Sequence, residues 1–67
     1  MDPWKKIYAT RNPAEASIIQ GMLEENNIPV QYMNKQDSIY LIGDIELYVP
    51  GHFEEMAKQL VGQNLLN

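Results

Sequence analysis

The amino-acid order predicts an α+β sandwich, β-α-β-β-α along the chain, with two helices on one face of a small, mainly antiparallel sheet. Three observations carry that prediction. Two stretches place apolar residues at helical spacing between start and stop signals. Period-2 stretches lie before and between them. The chain has 67 residues, the length of one domain, with a core over about 4–61 and a short tail over 62–67.

Trp4 to Thr10 reads as a strand, with Ile7 and Ala9 on one face and Lys6, Tyr8 and Thr10 on the other. Asn12-Pro13 then opens a helix. The Asn side chain can accept from free N–H groups of the first turn, and proline suits the first helical position because its missing N–H is not needed there. Glu15, three residues after Asn12, has the spacing of a capping box. Ala16, Ile19, Met22 and Leu23 form an apolar stripe, with Ile18 beside it. Asn26-Asn27 ends the helix, since asparagine tolerates the left-handed backbone a C-terminal cap needs, and Ile28 can fold back on the last turn before Pro29.

Pro29 to Asn34 is a second strand, with Val30 and Tyr32 facing one way and Gln31 and Met33 the other. After the polar connection Lys35-Gln36-Asp37, residues 38–49 read as a hairpin. Its arms, Ile39–Ile42 and Ile45–Val49, flank Gly43-Asp44 as a type II′ turn. The second arm alternates Ile45, Leu47 and Val49 inward with Glu46 and Tyr48 outward. Pro50-Gly51 breaks it. Phe53, Met56, Ala57, Leu60 and Val61 then form the stripe of a helix over about 52–61, with Gly62 as its stop. The expected strand order is first, last, middle, with a right-handed crossover for the first helix. This is the ferredoxin-like pattern with its final strand missing or vestigial.

The residues resemble the DUF2007 family of small prokaryotic signal-transducing proteins, whose fold is related to PII regulators. The resemblance runs over roughly 6–61. It rests on Ile7-Tyr8, on Asn12-Pro13-Ala14-Glu15-Ala16, on Leu23-Glu24 with Ile28-Pro29-Val30, on Ile45 to Pro50, and on Ala57 and Leu60. Two positions depart from the family pattern: Asn27 stands where glycine is usual, and Gly51-His52 where an acidic helix start is common. The resemblance implies a PII-like fold and a regulatory role, with Asn34 to Asp44 in the place of the PII partner loop. It carries over no catalytic or ligand residue, and fold analogy alone is a weak warrant for function.

Composition narrows the chemistry. There is no cysteine and one histidine, so disulfides, thiolate zinc sites and a His-based metal cage are excluded. Five Lys and Arg against nine Asp and Glu leave a charge of -4, which disfavours nucleic-acid binding. No apolar run approaches the length of a membrane span, and no signal peptide is legible. The expectation is a cytoplasmic protein with no membrane partner.

As a general base His52 would need a nucleophile and an orienting partner, and no spacing links it to Ser17 or Ser38, so it reads as an exposed first-turn residue. Glu24-Glu25 and Glu54-Glu55 are adjacent on helices and so share no face. Asp37 with Asp44 lacks a metal-loop motif. No catalytic, cofactor or metal residue is therefore predicted, and the chain is not expected to be an enzyme.

The tyrosines are more informative. If Ile7, Ile45, Leu47 and Val49 face the helices, Tyr8 and Tyr48 share the other face with Gln31, Met33, Lys6 and Glu46. That face, with Tyr40 in the adjoining loop, is the candidate interaction surface. The alternative is a solvated face with cross-strand Tyr8–Tyr48 packing and Lys6–Glu46 pairing. The Ile39–Ile42 run is either a core strand or an arm that pairs with a partner. Trp4 is either core or rim. The functional expectation is a non-enzymatic regulatory or protein-binding module that contacts a protein partner or a second copy in a homodimer. The alternative is a sensor holding a small-molecule effector at a subunit interface.

Overall fold

In the computed structural model the described residues are 3–37, 39 and 42–65, with only the backbone of Leu65. The elements are β1 (Trp4–Thr10), α1 (Pro13–Glu25), β2 (Gln31–Asn34), β3 (Ile45–Pro50), a 3-10 turn (Gly51–Phe53) and α2 (Glu54–Leu65). The sheet order is β1-β3-β2, and β3 is antiparallel to both neighbours. The result is the expected α+β layout of a small ferredoxin-like fold. It measures 35 × 33 × 15 Å; the short dimension has room for one sheet and one helix layer.

The alternation in β3 sets the core. Ile45, Leu47 and Val49 are fully buried, as is Ala16 of α1; Leu47 and Val49 cluster with Ile19 and Leu23 of α1, Ala57 and Val61 of α2, and Ile28. Ile7, Tyr8, Val30, Tyr32, Phe53 and Leu60 pack around the rim. The α2 stripe is narrower than its spacing suggests, since Met56 is 50% exposed; Ile18, beside the α1 stripe, is 68% exposed.

Both ends of α1 are set by asparagine. Asn12 has an extended backbone, and its side chain accepts from the N–H groups of Ala14 and Glu15 at 3.0 and 3.3 Å. The reciprocal half of a capping box is not made. The Asn12 N–H donates to Thr10 Oγ1, and the Glu15 carboxylate accepts the Tyr8 hydroxyl. At the other end Asn27 has φ +62°. The N–H groups of Asn27 and Ile28 return to the carbonyls of Glu24 and Leu23 at 3.0 and 3.1 Å, a Schellman closure with Ile28 buried alongside Leu23.

Three expectations are corrected. First, β1 does not alternate regularly. Lys6 lies opposite Tyr48 but Tyr8 opposite Leu47, so Ile7 is the extra residue of a β-bulge. Past the bulge every side chain changes face: Tyr8 joins Ile7 against the core, and Ala9, predicted inward, is exposed opposite Glu46.

Second, the hairpin is made by β2 and β3. Its register continues past Asn34–Ile45 through Lys35 N–H to Asp44 O (3.0 Å) and Asp37 N–H to Ile42 O (2.9 Å). Gly43-Asp44 therefore lies along the hairpin and is not its turn. Ile39 and Ile42 are 78% and 66% exposed, so these two residues do not belong to a core strand. Third, Gly62 does not stop α2, which continues to Leu65. The Gly51–Phe53 turn leads into it with no side-chain cap.

Candidate functional site

Register defines what lies on the sheet face away from the helices. β3 contributes Glu46, Tyr48 and Pro50. β2 contributes Gln31 opposite Tyr48 and Met33 opposite Glu46. β1 contributes Trp4 opposite Pro50, Lys6 opposite Tyr48 and Ala9 opposite Glu46. The backbone pairing holds these side chains in fixed rows.

Glu46 is the hub of the face. Its side chain is only 12% exposed because three neighbours lean over it. The Lys35 ammonium approaches one carboxylate oxygen at 2.9 Å, and the Tyr48 hydroxyl donates to the same oxygen at 2.7 Å. The Lys6 ammonium lies 3.7 Å from the other oxygen. The hydrogen bond from Tyr48 comes first, then that from Lys35 with the nearby charges. Together they outweigh desolvation and bring the Glu46 pKa down from 4.5 to about 2. The same contacts push Lys35 and Tyr48 upward, since losing either proton would break a hydrogen bond to a carboxylate. Beside this ionic centre stand apolar side chains: Trp4, 46% exposed, and Met33, 41% exposed.

The structure brings Gln31, Met33 and Tyr48 together as the sequence predicts, with the Lys6–Glu46 pair between strands. It removes Tyr8. The bulge turns that ring to the helix side, where it packs on the core and donates to Glu15, and this hydrogen bond is the first cause of its raised pKa. Tyr8 and Tyr48 therefore do not pack across the open face. Tyr40 lies outside the described residues. Two contributors are not legible in the local pattern. The pattern leaves Trp4 core or rim, whereas the pairing of the strand's first residue with Pro50 decides its face. Lys35 reads as connection, whereas it extends the β2–β3 register by one pair and lies within reach of Glu46.

The β2–β3 connection is tied to the rest of the fold. Gln36 Nε2 donates to the Arg11 carbonyl at 2.6 Å, and Arg11 Nε lies 4.0 Å from Asp44. Asp37 accepts from the Ile39 N–H. His52 is exposed, its ring centre 4.3 Å from that of Phe53. Among the described residues no group of three His, Cys, Asp or Glu side chains is placed to hold a metal ion.

The bulged first strand, the Asn-closed helix and the alternating third strand lie in one matched segment. A family profile described as "Putative prokaryotic signal transducing protein" aligns with residues 4–64. The chain belongs to the DUF2007 family. Comparisons with curated proteins and with solved structures return no match. Every open-face residue of this DUF2007 chain, from Trp4 to Pro50, lies within the matched segment. Among the described residues no helix is long and apolar enough to cross a membrane.

Proposed function

We propose that this DUF2007 protein is a non-catalytic cytoplasmic module that binds a protein partner in signal transduction, using the helix-free face of its sheet. The observation that carries the reading is the pairing of half-exposed anchors, Trp4 and Met33, with an ionic cluster already assembled around Glu46. Large apolar or aromatic side chains inside a polar rim are the usual source of binding energy at protein contacts. Here the rim needs little ordering on association, because Glu46, Lys35 and Tyr48 already hold one another. The family description supports the signalling context.

Site-specific photo-crosslinking in living cells tests this. A photoreactive side chain at Met33 is expected to give a discrete protein adduct, lost when Trp4→Glu is introduced. The same group at Ile18, on the outer face of α1, is expected to give none. Equal adducts from both positions, or none from Met33, would overturn the reading.

A further inference from the structure

We propose that the outer edge of β1 accepts an extended segment of another protein as a fourth strand, and that this segment carries two consecutive acidic residues. Among the described residues β1 pairs only with β3, so one side of a seven-residue strand has no ladder partner. Antiparallel alternation gives the polarity of that side. Lys35 N–H to Asp44 O turns the backbone of Asp44, and so of Glu46 and Tyr48, toward β2. Gly51 N–H to Pro3 O turns Gly51, and so Val49, Leu47 and Ile45, toward β1. On β1 their partners Lys5, Tyr8 and Thr10 bond inward. Trp4, Lys6 and Ala9 therefore present their N–H and C=O groups outward. An extended chain is the ligand that satisfies such a row.

Charge selects which extended chain fits. Residues 3–14 contain Lys5, Lys6 and Arg11 and no carboxylate, whereas residues 15–67 contain eight carboxylates against Lys35 and Lys58. The strand edge is the basic part of an acidic molecule. Lys5 lies opposite Val49 on the helix side and Lys6 opposite Tyr48 on the open side, and both are exposed. Two neighbouring residues of an added strand likewise point to opposite faces. Consecutive carboxylates would thus meet one lysine each. A second β1 is a poor occupant, because it sets one basic stretch against another; edge lysines commonly discourage self-pairing of this kind.

The test is an NMR titration of the full chain with capped synthetic hexapeptides. A Thr-Val-Glu-Glu-Val-Thr peptide at millimolar concentration is expected to slow amide exchange at Trp4, Lys6 and Ala9, leaving amide exchange at Gln31 and Met33 unchanged. Lys5→Glu is expected to weaken it about tenfold, since reversing a cross-strand charge turns attraction into repulsion. A peptide with N-methylated alternate amides is expected not to bind. Absence of binding overturns the proposal, as does equal binding of a Thr-Val-Lys-Lys-Val-Thr peptide or of the N-methylated one. So does protection of these amides that rises with protein concentration alone, which would assign the edge to a second copy. Tighter engagement of the same amides by oligouridylate would assign it to nucleic acid. Shifts confined to Met33 and Gln31 would leave the open-face reading standing and remove this one.

Discussion

Gly43→Ala is expected to be among the most damaging single-methyl additions in this chain. Gly43 has φ +106°, and a Cβ placed on it would stand 2.6 Å from the carbonyl oxygen of Lys35 and 3.3 Å from its carbon. Alanine at such a φ costs roughly 1–3 kcal/mol in backbone strain. Relieving the clash moves the Lys35 peptide, whose neighbouring N–H donates to Asp44; weakening that bond adds about 0.5–1.5 kcal/mol. The sum, about 1.5–4.5 kcal/mol, is a large part of the roughly 3–10 kcal/mol that a chain this short is expected to have. With a urea dependence of about 1 kcal/mol/M for a small domain, the unfolding midpoint is expected to fall by about 1.5 M or more. Urea unfolding followed by far-UV circular dichroism measures it. A synthetic chain with D-alanine at this position is the control. The D residue favours positive φ and directs its methyl away from Lys35, so its midpoint is expected near that of glycine. An L-alanine variant as stable as the parent would refute the reasoning, as would a D-alanine chain that is equally impaired.

Two further outcomes are expected. The folded Glu46 pKa lies below the ordinary carboxylate value, so its contribution to stability is fully present above about 4.5 and is lost as pH falls toward about 2; Glu46→Gln is expected to give urea midpoints that vary less with pH across that window. Asn27 holds a left-handed backbone, so Asn27→Ala is expected to cost about 1 kcal/mol and lower Tm by about 4–8 °C in a thermal melt, while Asn27→Gly stays close to the parent.

The elements legible in the sequence are those whose signals are local. β3 alternates buried and outward residues without interruption because it is the central strand and both its neighbours hold its register. The closure of α1 could be read from Asn26-Asn27-Ile28, since only a few residue types take a left-handed cap and Ile28 had an obvious partner in Leu23. The bulge could not be read. Ile7 and Ala9 have the spacing of a regular strand, and only pairing with β3 reveals that Ile7 is extra. That one residue decides the face of Tyr8, and with it half of the predicted tyrosine pair. Gly43 misled for a related reason. A glycine before aspartate resembles a two-residue turn, but here it is required because the backbone passes too close to Lys35 for the Cβ of an L residue. Gly62 misled in the opposite direction: nothing crowds it, and a helix interior tolerates glycine at a cost of about 1 kcal/mol.

The two proposed surfaces meet at Lys6. Its ammonium lies 3.7 Å from Glu46, farther than Lys35 at 2.9 Å or the Tyr48 hydroxyl at 2.7 Å. Of the three groups around that carboxylate, Lys6 is therefore held least tightly. A strand carrying an acidic residue opposite Lys6 would draw the ammonium outward to a new carboxylate and leave Glu46 with its two closer partners. The hub would survive, but its charge balance would change. One neutralising cation would leave the middle of the open face, and the environment of Trp4, on the same face of β1, would change with it. Occupation of the edge would therefore be felt on the face without any movement of the backbone, because a single half-exposed lysine serves both.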